Sequence, residues 1–283
     1  MSVQADNSVN GTLAHHLHEA YMEIFPTPGI VDKLAALEEN AYVAVTCSPT
    51  KGVDETLALT AELVGRGYKV VPHIAARNVR DRAHLNEIMA RLADLGIESL
   101  FVPGGDRQEP LGEFRTALEL LQAIDRFEHA LAWIGVGAHP EGHPAVDAAT
   151  LQSELLKKQQ YANYMVTQMC FDADVLAAWL GDMRAAGVSL PAWIGLPGVI
   201  ERNHLLKTSM RIGVGDSLRF LRRSPRAAMR MMRSTIYRPD ELLQQIAPCA
   251  ADPANDVIGY HLFCFNQVEA TERWRCDAIE ALA

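Results

Sequence analysis

The stretch from Tyr42 to Ile74 reads YVAVTCSPTKGVDETLALTAELVGRGYKVVPHI. It opens on a short β-branched run (Tyr42–Thr46), continues as an amphipathic segment (Val53–Arg66) and closes on a second β-branched run (Lys69–Ile74). Leu57, Ala61 and Val64 fall on one face of the middle segment, so the apolar period changes from strand to helix and back. A strand, a helix and a strand of these lengths make a parallel βαβ unit. The pattern repeats outward in both directions. Further strands are expected at Tyr21–Phe25, Ser99–Pro103, Ala130–Val136, Tyr164–Met169, Ala192–Leu196 and Val257–Phe263. Helices are expected at Asp81–Leu95, Glu113–Phe127 (Phe114, Ala117, Leu118 and Leu121 on one face), Ala148–Tyr161, Ala173–Ala186 and Val199–Met210. Eight strands alternating with helices are the number that closes a barrel. A doubly wound open sheet is the rival, but no G-x-G-x-x-G follows the first strand to support it. The expectation is therefore an α/β protein, a single-domain (β/α)8 TIM barrel over residues 21–283, preceded by an N-terminal extension at residues 1–20.

Composition agrees with a folded enzyme and excludes several other classes. The 283 residues are 49% apolar and 22% charged, as in a soluble globular protein with a core to bury. A formal charge of −9, from 35 acidic against 26 basic residues, argues against a nucleic-acid binder, which needs a basic face. No apolar run has the length of a membrane span, and the first twenty residues have neither the basic start nor the apolar stretch of a signal peptide. Five scattered cysteines (Cys47, Cys170, Cys249, Cys264, Cys276) with no C-x-x-C pair read as reduced thiols, hence a cytoplasmic location.

One segment breaks the rhythm. Residues 211–256 are long for a connection between two strands. They carry Arg219, Arg222, Arg223, Arg226, Arg230, Arg233 and Arg238, with no acid among them from the first to the last. An Arg-rich helical insertion, with Met229, Met231 and Met232 partly packed, is the plain interpretation. A cationic patch for a phosphate, a polyglutamate tail or a subunit partner is the sharper one. Gly213-x-Gly215-x-Ser217 is read as a flexible helix entry.

In such barrels the chemistry sits at the C-terminal ends of the strands. Those ends supply Glu23, Thr46, His73, Asp106, His139 with His143, and Gln168. A carboxyl inside the apolar run Tyr-Met-Glu23-Ile-Phe-Pro is costly to bury ionised, so it is either held toward its protonated form, as a general acid requires, or paired, with Arg77 or Lys51 as candidate partners. Gly104-Gly105-Asp106 lets the main chain approach a ligand closely. His139-Pro-Glu141-Gly-His143-Pro presents two imidazoles and a carboxylate, but no further ligand set completes a metal site, and none is expected.

Together and in order, these residues resemble the methylenetetrahydrofolate reductase family. Met-Glu23-Ile-Phe-Pro26 is similar to its E-x-F-P opening, Val-Ala-Val-Thr46 to its second strand and Val-Pro-His73-Ile to its third. Gly-Gly-Asp106 resembles its R-G-D turn, His-Pro-Glu-Gly-His143-Pro its Y-P-E-x-H-P loop, and Val-Thr-Gln168-Met-Cys-Phe-Asp172 its T-Q-x-x-F-D strand. Tyr260–Gln267 (YHLFCFNQ) resembles its closing H-x-Y-T-L-N segment. The resemblance implies a non-covalent FAD that takes hydride from NADH or NADPH and passes it to 5,10-methylenetetrahydrofolate, giving 5-methyltetrahydrofolate in one-carbon metabolism. By the same resemblance Glu23 is the acid that assists opening of the folate ring, Asp106 tunes flavin and folate, and Gln168 holds the pterin. Thr46, His73, Gly105, His139 and His143 fall where the family contacts FAD, with Lys157 or Lys158 on its phosphate. Gly104 stands where the family has an arginine, His139 replaces its tyrosine, Thr27 its second proline, and its A-G-A before strand six is missing.

Three functions remain open on sequence: an FAD-dependent reductase; a flavin-independent or divergent folate C1 enzyme on the same barrel; and a non-catalytic folate- or flavin-binding protein. The choice between NADH and NADPH, the oligomeric state (a homo-oligomer included), the direction of reaction and its pathway, methionine biosynthesis or methyl-group oxidation, stay open too.

Overall fold

The computed structural model describes residues 2–211 and 235–283. Seven strands come first: β1 (Tyr21–Ile24), β2 (Tyr42–Val45), β3 (Lys69–Pro72), β4 (Ser99–Val102), β5 (Trp133–Ala138), β6 (Tyr164–Thr167) and β7 (Ala192–Pro197). A short antiparallel pair, β8 (Ile200–Glu201) with β9 (Ile236–Tyr237), stands apart, and β10 (Val257–Phe263) is the eighth strand of the main sheet. The helices are α1 (Ser2–His18), α2 (Ile30–Lys33), α3 (Gly52–Gly65), α4 (Arg82–Asp94), α5 (Ala117–Ile124), α6 (Ala148–Lys158), α7 (Ala173–Ala185), α8 (Arg202–Arg211), α9 (Asp240–Ala251) and α10 (Val268–Leu282).

The main sheet is parallel, in the order β3-β2-β1-β10-β7-β6-β5-β4. Its two outer strands meet where His73 bridges Phe101 and Ile74 N–H donates to the Phe101 carbonyl at 2.9 Å. The sheet thus curls into a nearly closed barrel, the expected TIM-like architecture. Aromatic side chains fill its interior. Tyr164, Val166 and Trp193 form an inner cluster with Tyr21 and Phe101 against it, and the Tyr21 and Trp193 rings meet edge-on at 4.4 Å. Glycines make the room. A Cβ at Gly135 would stand 2.3 Å from the Tyr164 ring, and one at Gly259 would stand 2.2 Å from Trp193.

Loop residues start the helices. Asp81 Oδ1 accepts from His84 N–H at 2.8 Å, and Thr116 with Glu119 forms a reciprocal capping box. That box explains why α5 begins at Ala117 instead of Glu113: the Thr116 side chain commits the chain there. On α3 the buried face is Val53, Thr56, Leu57, Thr60 and Leu63, whereas Ala61 is exposed. Two threonines disguised that phase. Thr56 Oγ1 donates to the Thr46 carbonyl at 2.9 Å and Thr60 Oγ1 to Thr56 at 2.8 Å, so both hydroxyls are satisfied within the core. Strand β5 runs later than expected because its inward positions are glycines, which carry no strand signal. Ile200–Glu201, expected as helix, pairs with β9, and α8 starts only at Arg202. Of the arginine-rich insertion, Arg219 to Arg233, with the three methionines and the Gly213–Ser217 entry, lie outside the described residues. Arg238 is described, pairing with Asp240 at 3.1 Å.

Ahead of the barrel, α1 packs on β10, α9 and α10, with Leu13 and Leu17 buried. The Arg275 guanidinium of α10, held by Glu272 at 2.7 and 2.8 Å, donates to the Leu17 and His18 carbonyls. It thereby satisfies groups that a helix end leaves without partners. His16 lies edge-on to Tyr260 at 5.6 Å, and burial, helped by His15, pulls its imidazole from 6.5 to about 4. A folded-state value below the unfolded one means that stability is present above the unfolded value and is lost as pH falls from 6.5 through about 4. This histidine alone should cost about 2 kcal/mol by about pH 5. Thermal melts of wild type and His16→Leu between about pH 7 and pH 5 measure it: the variant should lose less stability, and parallel losses would refute the assignment.

No helix among the described residues is long and apolar enough to cross a membrane.

Candidate active site

Side chains alternate in and out along a barrel strand. On β1 and β10 the register sets Tyr21 opposite His261 and Glu23 opposite Phe263. Glu23 Oε2 lies 3.0 Å from His261 Nε2, with the two side chains 10% and 4% exposed. The partners weighed from sequence are engaged elsewhere. Lys51 Nζ donates to the Pro26 carbonyl at 2.7 Å, and Arg77 donates to the Arg107 carbonyl at 2.8 Å. The partner of Glu23 is a histidine because β10 is its strand neighbour, a pairing between the two ends of the barrel.

His73, directly after β3, is the third member. Its ring stands 6.2 Å from His261 and 4.6 Å from Phe101, and its buried Nε2 has no hydrogen-bond partner. Burial lowers this imidazole to about 4; the Glu23 carboxyl opposes the shift and the His261 ring adds to it. One ligand atom from each of Glu23, His73 and His261 lies within 4.8 Å of the others.

The chain at Glu23 and just after it is clamped. Its own carbonyl accepts from Cys264 Sγ at 2.8 Å. Asn266 accepts from Phe25 N–H at 2.8 Å and donates to the Phe25 carbonyl at 3.1 Å and to Thr27 Oγ1 at 2.8 Å. Phe265 and Asn266 take φ of 51° and 60° to do so, a left-handed conformation that costs a non-glycine residue of order 1 kcal/mol each. Thr27, which stands where a second proline was expected, thus contributes a hydroxyl to the clamp.

The remaining residues spread around the mouth. Thr46 follows β2 with a buried hydroxyl that has no partner. Gly105 takes φ +95°, and a Cβ there would meet Ala75 at 3.0 Å, so only glycine fits this turn without strain. Asp106 beside it is exposed. Gln168 follows β6, its Oε1 accepting from Met169 N–H at 2.9 Å, which leaves the amide NH2 to donate. His139 and His143 meet edge-on at 5.3 Å beyond β5. Burial lowers His139 to about 4, with His143 and Lys158 adding to the effect. The two lysines part company: Lys158 Nζ turns toward the Gly137 carbonyl at 3.5 Å, while exposed Lys157 pairs with Glu154 at 3.3 Å. Lys158 and His139, with Gln152 and Trp179, line a cavity of about 670 Å³ between α6, α7 and the end of β5, apart from the Glu23 cluster.

His261, Cys264 and Asn266 were not singled out as site residues from sequence. The available signal was parity: in Gly259–Phe263 every second residue faces inward, and His261 is the one polar inward position.

The family model for methylenetetrahydrofolate reductase matches residues 29–210. The match begins after β1 and ends before β10, so Glu23 and His261 lie outside it. Methylenetetrahydrofolate reductase 1 of Schizosaccharomyces pombe is 26% identical over 191 residues, covering 66% of this chain and 28% of that protein. A probable methylenetetrahydrofolate reductase (NADPH) of Caenorhabditis elegans is 25% identical over 177 residues, 61% of this chain and 24% of that one. Methylenetetrahydrofolate reductase 2 of Saccharomyces cerevisiae is 32% identical over 93 residues, 31% of this chain and 15% of that protein. The chain spans about a quarter or less of the length of these relatives.

Proposed function

The chain belongs to the methylenetetrahydrofolate reductase family, and from that premise we propose that it reduces 5,10-methylenetetrahydrofolate to 5-methyltetrahydrofolate, with NADH or NADPH as donor and FAD as carrier. The observation that carries this reading is the buried Glu23 carboxyl, hydrogen-bonded to His261 at the mouth of the barrel, on a chain that Asn266 holds two residues further on at Phe25. Opening the folate's five-membered ring needs a proton delivered to the departing ring nitrogen as the electrophilic carbon is unmasked. A carboxyl on a rigid strand, shielded from water, is suited to give that proton. His261 fixes its orientation, and the Gln168 amide donates to the pterin.

The residues present fit a flavin. Lys158 is drawn into a cavity with His139, and the Thr46 hydroxyl is buried without a partner. Thr46, His73, Gly105, Asp106, His139, His143 and Lys158 would hold the cofactor, whereas Lys157 faces Glu154. When bound there, FAD would supply the hydride-carrying chemistry between nicotinamide and folate.

The test is the visible spectrum of the purified protein before and after anaerobic NADH. Flavin bands that bleach, then return on adding methylenetetrahydrofolate, support both halves of the reading. A protein that stays colourless after incubation with FAD overturns the flavin half and leaves the flavin-independent alternative. Gly104 supplies a second check. A Cβ there meets nothing within 4 Å, so Gly104→Arg, which restores the family's arginine, starts without a clash at Cβ. It should tighten FAD binding roughly tenfold, the value of a charge-assisted hydrogen bond. Unchanged FAD affinity by fluorescence titration would remove this turn from the cofactor site.

A further inference from the structure

We propose that Glu23, His73 and His261 form a binding site for one divalent transition-metal ion of the zinc class, and that its occupancy takes the carboxyl out of use as an acid.

Two imidazoles and a carboxylate are a donor set suited to zinc or cobalt, with a fourth position left for water or substrate. Here all three side chains are buried, and their donor atoms lie within 4.8 Å of one another, so small side-chain movements bring them onto a common centre. Two further observations point to a ligand. His73 Nε2 is buried with no partner, a cost that a metal ion would remove. In addition, His73 and His261 border a small, partly open space of about 10 Å³ with Tyr21, Phe101 and Tyr164, to which Glu23 does not contribute; it is about the size of one water-sized particle. The His139–Glu141–His143 loop, the pattern noticed in sequence, is a weaker candidate because His143 is exposed.

Binding through Glu23 replaces its proton, which passes to solvent, so metal and proton compete for one carboxylate oxygen. The inhibition part of the proposal rests on the reading of Glu23 as the acid; the binding part does not.

Cobalt(II) is the probe for binding. The purified protein, freed of metal by chelator, is titrated with Co2+ and followed by its visible d–d bands, with Zn2+ as competitor. One equivalent should give intense bands, and His73→Gln and His261→Gln should each weaken Co2+ at least tenfold, while His143→Gln leaves the bands unchanged. Absent bands, or bands lost only in His143→Gln, overturn the site. X-ray absorption of the zinc-loaded wild-type protein covers the case of a variant that does not fold. Two imidazoles and an oxygen ligand are expected, and sulfur ligands refute the assignment. In a separate arm, Zn2+ should inhibit folate reduction at the same concentration at which it displaces Co2+. Binding without inhibition would refute Glu23 as the acid while leaving the metal site standing.

Discussion

Replacing Glu23 with glutamine is expected to lower kcat roughly 10²- to 10⁴-fold, the range a positioned acid contributes, with folate affinity nearly unchanged. The amide has the carboxyl's shape and can still hydrogen-bond His261, so the clamp made by Asn266 and Cys264 has no reason to move. What it cannot do is give up a proton. Loss in kcat without loss in binding is the signature of an interaction used only in the transition state. The measurement is steady-state reduction of methylenetetrahydrofolate alongside equilibrium binding of a folate. A near wild-type rate would show that Glu23 is not the acid. A large fall in binding with kcat preserved would make it a substrate-holding group instead. The variant should melt within a few degrees of wild type, because no buried donor loses its acceptor.

The barrel was legible because its evidence is local. Each strand is a β-branched run, each helix a period of apolar residues, and eight repetitions leave few alternatives. Errors fell where a side chain's chemistry contradicts its type: Thr56 and Thr60 are buried on α3 through hydroxyl bonds to the main chain, and Gly135 sits in β5 to admit Tyr164. The site was legible only in part. That Glu23 is buried follows from its apolar neighbours, but its partner lies 238 residues away, and nothing in β1 names β10 as the strand beside it. Barrel closure makes that introduction. The same long-range pairing hid Asn266, whose amide reads as an ordinary loop residue until Phe25 lies opposite. Lys157 and Lys158 are inseparable in sequence because a one-residue deletion before Tyr161, relative to the family, blurs the register; adjacent helical residues differ by about 100° in direction, and the structure turns one to Glu154 and the other to the strand end.

The second large effect concerns the space inside the barrel. Gly195 on β7 donates its N–H to Thr167 Oγ1 at 2.9 Å. A Cβ at this position would stand 2.2 Å from the Thr167 carbonyl oxygen and 2.6 Å from the Phe263 ring. Unlike the contacts at Gly135 and Gly259, which are with rings, the nearer one here is main chain, and it belongs to the neighbouring strand. That oxygen cannot swing aside without moving β6, which is held on its other edge by β5. Phe263, the other obstacle, is the residue opposite Glu23, so displacing it disturbs the site as well. Gly195→Ala should therefore destabilise the protein by about 3 kcal/mol, at the upper end for added bulk in a packed core. This corresponds to a fall in Tm of roughly 6 to 10 °C for a chain of this size. Gly104→Ala is the matched control: the same methyl meets nothing within 4 Å, and its melting point should stay at the wild-type value or rise slightly as the unfolded chain loses freedom. Equal melting points for the two variants would mean that the interior is looser than these distances state, and the precise placement of Glu23 against His261 would lose its support.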